Sequence, residues 1–167
     1  QIAQIDAHKV TLHREICDVV AILEAVADEQ QSNIKRRRQK IEIVAKAKPA
    51  MVWADHLRLR MVLDNMVDNA SKYSREHTTI TITVRADADE IVIEIADQGV
   101  GINQADFIKL FQKFSRIDNP LSIVVGGNGL GLYLVKKLID AHGGSVDVRS
   151  AVQEGTVFTL RLPTPEV

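Results

Sequence analysis

Cysteine is all but absent from this sequence. Cys17 stands alone, so no internal disulfide can form, and its helix-spaced apolar neighbours mark it as a buried, unreactive thiol. That usage fits a reducing, cytosolic compartment. Net charge is also nearly absent: 21 Lys and Arg face 22 Asp and Glu, for a formal charge of -1. No global field therefore draws the chain toward nucleic acid or anionic lipid. No apolar run approaches the ~18 residues of a membrane span, and the opening residues lack the basic-then-apolar layout of a signal peptide. The expectation is a soluble chain. Internal repeats, low-complexity tracts and a Gly-Lys-Ser/Thr phosphate loop are missing too. What is present is 167 residues of 46% hydrophobic composition, enough for one core and too few for a second domain.

Hydrophobic spacing lays out the elements. Leu12, Ile16, Val19, Val20, Leu23, Val26 and Ala27 recur every three to four residues, which predicts an amphipathic helix over 11–32. The basic run from Lys35 to Lys40 is expected to be a solvated face, before a short strand at Ile41 to Val44. Ala54-Asp55 reads as a helix start, and an apolar face from Leu57 to Ala70 predicts a helix to about residue 73. Ile80, Ile82 and Val84 alternate with threonines as a strand, its threonines toward water. The acidic turn 87–90 joins it to the more apolar Ile91 to Ala96, as a hairpin. A short helix around 104–113 and a longer one over 129–142 precede two more strands, at Val146 to Val148 and Phe158 to Leu162. Helices on one face of a mixed sheet predict a two-layer α/β sandwich.

Four stretches carry chemistry. Asn65, Asn69, Lys72 and Tyr73 fall at i, i+4, i+7 and i+8 and share one side of the second helix. Asparagine is a mediocre helix former, and an amide oxygen suits Mg²⁺, while lysine suits a phosphate; an ordinary exposed helix face has the same pattern. Asp97-Gln98-Gly99-Val100-Gly101 places a carboxylate and two flexible residues where the backbone leaves a strand. Such a carboxylate can accept a hydrogen bond from an adenine amino group, though a plain turn looks alike. Gly126-Gly127-Asn128-Gly129-Leu130-Gly131 opens a helix whose free N–H groups can hold phosphates. It lacks the preceding strand of a dinucleotide fold. Gly155-Thr156 starts the last strand, where glycine permits close backbone approach and threonine can donate a hydrogen bond.

In this order and at these separations, the four stretches resemble the N, G1, G2 and G3 boxes of sensor histidine kinase catalytic domains, which share the Bergerat ATP-binding fold. Phe107 and the run Phe111-Gln112-Lys113-Phe114-Ser115-Arg116 resemble the F box between them. The likeness covers residues 9–163, with 1–8 as the tail of a preceding helical region and 164–167 as a C-terminal tail. It implies a mixed sheet covered on one face by about three helices. It also implies that Asn69 ligates Mg²⁺ between ATP phosphates, that Asn65 and Lys72 sit close to those phosphates, and that Tyr73 lines the pocket. Asp97 would hold the adenine amino group; Gly99 and Gly101 would let backbone approach the base. Gly127, Gly129, Leu130, Gly131 and Thr156 would complete the nucleotide contacts. Arg116 would stabilise charge on the transferred γ-phosphoryl. The segment 115–128 would be the ATP lid, with Leu121, Ile123, Val124 and Val125 docking on a helical domain or the nucleotide. Gln98 departs mildly from the asparagine often found there.

Such kinases phosphorylate a histidine in a His-Glu/Asp-x-x-x-Pro setting. None of His8, His13, His56, His77 or His142 has it, so all five read as surface or structural, and the acceptor, the dimerisation helices and the link to a response regulator are expected in other parts of the parent protein. The fragment itself is expected to be monomeric and cytoplasmic, even if its parent is membrane-anchored. Gyrase-type ATPases share the fold but carry a water-activating glutamate where this chain has Asn65, and an amide cannot take that proton. A serine kinase of the anti-sigma type, or a catalytically degenerate, nucleotide-responsive docking module, would also use this fold.

Overall fold

The computed structural model describes residues 11–101 and 131–166, and element labels below run in chain order over those residues. Strand β1 (Arg14–Asp18) leads into helices α1 (Val19–Glu29) and α2 (Gln31–Arg36). Strands β2 (Lys40–Ala45) and β3 (Met51–Asp55) precede helix α3 (His56–Lys72). Then come β4 (Thr79–Asp87), β5 (Glu90–Asp97), α4 (Gly131–Ala141), β6 (Ser145–Ser150) and β7 (Thr156–Pro163).

Five strands form a mixed sheet in the order β2-β4-β5-β7-β6, parallel only between β2 and β4. The period-two pattern of β4 sends Ile80, Ile82 and Val84 into the core and leaves Thr79, Thr81 and Thr83 half-buried on the other face. Ile93, Ile95, Phe158, Leu160 and Leu162 continue the apolar face across β5 and β7. Against it pack Leu23 and Val26 of α1, Leu59, Leu63, Met66 and Val67 of α3, and Leu138 and Ile139 of α4, each at most 1% exposed. This is the expected α/β sandwich of helices over a mixed sheet. The outer face is tied by surface ion pairs, among them Arg85–Glu94 at 3.5 Å, which add little to stability.

The helix expected over 11–32 is a correction. Its first part is strand β1, paired antiparallel with β3, and Asp18 caps α1 by accepting from Val20 N at 3.1 Å. Ile16 fits a helical stripe by spacing, yet it lies 59% exposed opposite Trp53 in the strand pair. Strand β3 is not foreshadowed by the hydrophobic pattern. Its outward residues, Met51 and Trp53, are apolar like its buried ones, Val52 and Ala54, so the alternation is hidden. Cys17 is buried as expected, within the strand rather than a helix, and burial pushes its thiol pKa up. At the other end, Thr164 donates its N–H to Asp89 O at 2.9 Å, so hydrogen bonding to the body continues past residue 163. The helix expected around 104–113, the run 111–116 with Arg116, the segment 115–128, Gly127, Gly129, Leu130 and residues 1–8 lie outside the described residues.

Candidate nucleotide-binding site

The site is built on three chain ends that meet. Strand β5 delivers Asp97, the last residue of its ladder, opposite Thr156 at the start of β7. The Asp97 carboxylate accepts from Gly99 N at 3.0 Å and from Thr156 N at 3.1 Å, both on Oδ1. Among the described residues nothing donates to Oδ2. Removal from water pushes the Asp97 pKa up to about 6, against the lowering effect of those two amides. A half-buried carboxylate with one spent and one spare oxygen is a ready acceptor for an N–H donor.

The glycines after it serve backbone packing. A Cβ on Gly99 would lie 2.2 Å from Tyr73 O, and one on Gly101, at φ +75°, 1.8 Å from Ala151 O. Only glycine lets these segments approach so closely. Residues Ser74 and Gly99 also form an antiparallel bridge, which fastens the C-terminal end of α3 to the Asp97 turn.

Helix α3 carries the amide stripe, with Asp55 as its N-cap through a bond from Arg58 N at 3.1 Å. Asn65, Asn69, Lys72 and Tyr73 are all half-buried, on the flank of the face that sends Met66, Val67 and Ala70 into the core. The Asn65 amide donates to Met61 O at 3.0 Å, which turns its Oδ1 away from the helix. That oxygen lies 3.6 Å from where a Cβ on Gly131, the first residue of α4, would sit. From Asn65 to Tyr73 the stripe runs about 12 Å along the axis, from the start of α4 to the Asp97 turn. The Lys72 ammonium rests on Asp68 at 2.9 Å, and Asp68 also faces Arg37 at 3.8 Å. Thr156 is buried; its amide meets Asp97 while its hydroxyl pairs with Ser150 Oγ at 2.8 Å.

The structure thus gathers Asn65, Tyr73, Asp97, Gly99, Gly131 and Thr156 around one region, with Asn69 and Lys72 on the same helical stripe. Two groups went unforeseen. The basic run is not simply solvated: Arg37 donates to Ser71 Oγ at 2.8 Å, and Gln39, only 6% exposed, reaches under the end of α3. The only signal was a single amide interrupting the basic run just before a strand. Asp55 is the other: beyond capping α3, it accepts from His13 N at 3.0 Å on Oδ2, and its own N–H donates to His142 Nε2 at 3.0 Å. His142 is buried with Nδ1 2.7 Å from Leu138 O, a structural histidine as expected, its pKa lowered by desolvation.

Known proteins resemble this chain in sequence and in fold. Residues 54–166 match the family described as histidine kinase-, DNA gyrase B-, and HSP90-like ATPase. Sensor protein SrrB of Staphylococcus aureus (strain NCTC 8325 / PS 47) is 32% identical over 170 residues, covering 99% of this chain and 28% of that protein. The chain therefore spans little more than a quarter of the length of the curated relatives it matches. Among solved structures, full-length ShkA in complex with AMPPNP superposes with a TM-score of 0.85 at 26% identity, over 99% of this chain and 34% of that one. The mycobacterial sensor histidine kinase MprB gives 0.76 at 26% identity, over 92% and 99%. The nucleotide-free catalytic domain of histidine kinase ThkA gives 0.81 at 23% identity, over 92% and 97%, a likeness of fold. By its family match, the chain belongs to the histidine kinase-, DNA gyrase B-, and HSP90-like ATPases, and in sequence and fold it is similar to sensor histidine kinases.

Proposed function

We propose that this domain holds ATP with Mg²⁺ and passes the γ-phosphoryl to a histidine on a separate dimerisation domain, in two-component signal transduction. The observation that carries the reading is Asp97: a carboxylate with no donor to Oδ2 among the described residues, on a turn bridged by Gly99 to the end of the α3 stripe. In this reading Asp97 Oδ2 accepts from the adenine amino group, and Tyr73, Gly99, Gly101 and Thr156 frame the base. Asn65, Lys72, Gly127, Gly129, Leu130 and Gly131 surround the phosphates.

The donor set fits Mg²⁺. Asn65 has its amide nitrogen tied to Met61 O, and the Asn69 amide has no hydrogen-bond partner among the described residues, so oxygen donors are available on one stripe, as this hard cation prefers. We assign the ligand role to Asn69. Bound Mg²⁺ would offset phosphate charge. Lys72, already held by Asp68, would share its ammonium with a phosphate. In the transfer, an acceptor imidazole nitrogen bonds the γ-phosphorus while the bridging P–O bond to ADP breaks, and Arg116 offsets the charge on the moving group. Hydrolysis is the lesser reaction, because Asn65 cannot serve as a general base toward water.

The parent protein would supply the acceptor and dimerisation helices and engage a response regulator, with this domain in the cytoplasm and monomeric by itself. Mixing the chain with a separately made acceptor helix pair and labelled ATP tests the proposal. Acid-labile phosphohistidine on the helices is the expected product. Bound ATP with no transfer would leave a nucleotide-responsive docking module, and normal transfer by Arg116→Ala would remove that residue's role.

A further inference from the structure

The end of α3 has no glycine to close it. Its C-cap is Tyr73, and the residues after it are Ser74 and Arg75. A helix leaves its last carbonyls without intrahelical donors, and buried ones must find partners elsewhere. Here the partner comes from a distant point in the chain. Gln39, buried between α2 and β2, donates its Nε2 to Ser71 O at 3.0 Å, Ser74 O at 3.1 Å and Arg75 O at 3.3 Å. Its Oε1 accepts from Ser71 Oγ at 2.6 Å, and Ser71 Oγ in turn accepts from Arg37 Nη1 at 2.8 Å. The amide therefore has both ends fixed.

The peptide it grips is the one that builds the base end of the site. Tyr73 O occupies the space where Gly99 would carry a Cβ, Ser74 bridges Gly99, and Gly99 N holds Asp97 Oδ1. Each link is a direct contact, so the placement of the Asp97 turn against α3 depends on where Gln39 holds the helix end. A second branch, from Ser71 through Arg37 to Asp68, ends on Lys72. We infer that Gln39 is a positioning residue of the nucleotide site: it touches no nucleotide but fixes the Tyr73–Ser74 backbone against which the Asp97 turn is set. The inference rests on the nucleotide reading of that site.

A control for generic loss of buried hydrogen bonds contacts the same helix, α3, from between α1 and α2. Gln30 is buried to a similar degree, 7% exposed against 6%, and donates to Asp64 O at 3.0 Å and Asp64 Oδ1 at 2.8 Å, away from the Asp97 turn. ADP would be titrated calorimetrically into the full chain, its Gln39→Leu and its Gln30→Leu variants, well below their unfolding midpoints, with the midpoints measured without nucleotide. Both variants lose thermal stability. The expected result is that Gln39→Leu weakens ADP binding about tenfold, while Gln30→Leu stays within about twofold. In the same samples the Gly99 and Thr156 amide resonances should move in Gln39→Leu and hold in Gln30→Leu. Affinity in Gln39→Leu within twofold of wild type, or equal losses in both variants, would overturn the inference. Should Gln39→Leu fail to fold, Ser71→Ala carries the test, since it removes the bond that orients the amide, together with the Arg37 bond to the same hydroxyl. A loss of about threefold is then expected, and none would refute the role. If the wild-type chain binds no ADP, the nucleotide reading itself fails and takes the inference with it.

Discussion

Asp55 and Asp97 flank the two ends of α3, and each accepts two backbone N–H groups, yet the two carboxylates do opposite things. Asp55 spends both oxygens, Oδ1 on Arg58 N and Oδ2 on His13 N. Burial acts to raise its pKa, but those amides and the Arg58 and His142 charges outweigh burial and hold it below the usual aspartate range. Asp97 receives both amides on Oδ1, with no donor to Oδ2 among the described residues, and desolvation outweighs those amides and lifts it to about 6. The bonds are equal in number; what differs is that Asp55 also meets the Arg58 and His142 charges, whereas at Asp97 burial outweighs the two amides. A carboxylate with both oxygens satisfied is a structural joint, whereas one with a spare oxygen is poised for a ligand.

Exchanging each carboxylate for a residue that cannot accept would break this contrast. Asp97→Ala should reduce ATP-analogue affinity by roughly a hundredfold, the loss of a charge-assisted hydrogen bond at about 1.4 kcal/mol per decade, read by calorimetry; unchanged affinity would dismantle the adenine site. Asp55→Ala should leave affinity nearly intact but cost about 2 kcal/mol of stability, through a lost helix cap and an orphaned His13 amide. Denaturant unfolding would show it, and an unchanged midpoint there would mean the joint is idle.

Acidity sharpens the comparison more gently. Because the Asp97 pKa is raised, the folded state binds the extra proton between its ordinary value of 3.8 and about 6. Asp97 therefore gives stability at low pH that is lost as pH rises through about 6. Relative to Asp97→Asn, the wild type should lose stability across that window, and its nucleotide affinity should fall as pH drops below about 6, where the acceptor becomes protonated. Asp55, lowered, acts the other way: its contribution is present above 3.8 and fades as pH falls through its folded value. His142, lowered from 6.5, likewise gives stability above that value which is lost on acidification, so the Asn variant must serve as the reference. The smallest effect belongs to Thr156→Ala. Its amide, not its hydroxyl, holds Asp97, so affinity should change by less than about threefold, with about 1 kcal/mol of stability lost along with the Ser150 bond. A large affinity loss would show that the hydroxyl takes part.

Much of this was legible in the sequence. The alternation of Ile80, Ile82 and Val84 and the 3.6-residue spacing along α3 reflect burial on one side only, a local consequence of each element having a core face and a water face. The polar residues proposed for the site stand out for the same reason: Asn65, Asn69 and Lys72 interrupt an otherwise regular helix, and Asp97 with Gly99 interrupts a strand end. Strands β1 and β3 were not: Ile16 of β1 fits a helical spacing yet lies exposed, and Met51 and Trp53 of β3 point outward while being apolar, so β3 shows no period. Gln39 was nearly hidden, because a side chain that caps a helix 32 residues later leaves no local trace beyond one amide interrupting a basic run.

Hydrophobic period was enough to place helix or strand along α3, β4, β5 and β7, and to show which residue types sit where those segments end. The tertiary structure decided which oxygen of Asp97 takes both amides, where Gln39 closes α3, and that a helix end, a strand end and the start of β7 meet at Asp97. Local pattern is fixed by each residue's own preference for core or water, but a site is a meeting of distant backbone ends, and only their packing settles which hydrogen bonds remain unmade.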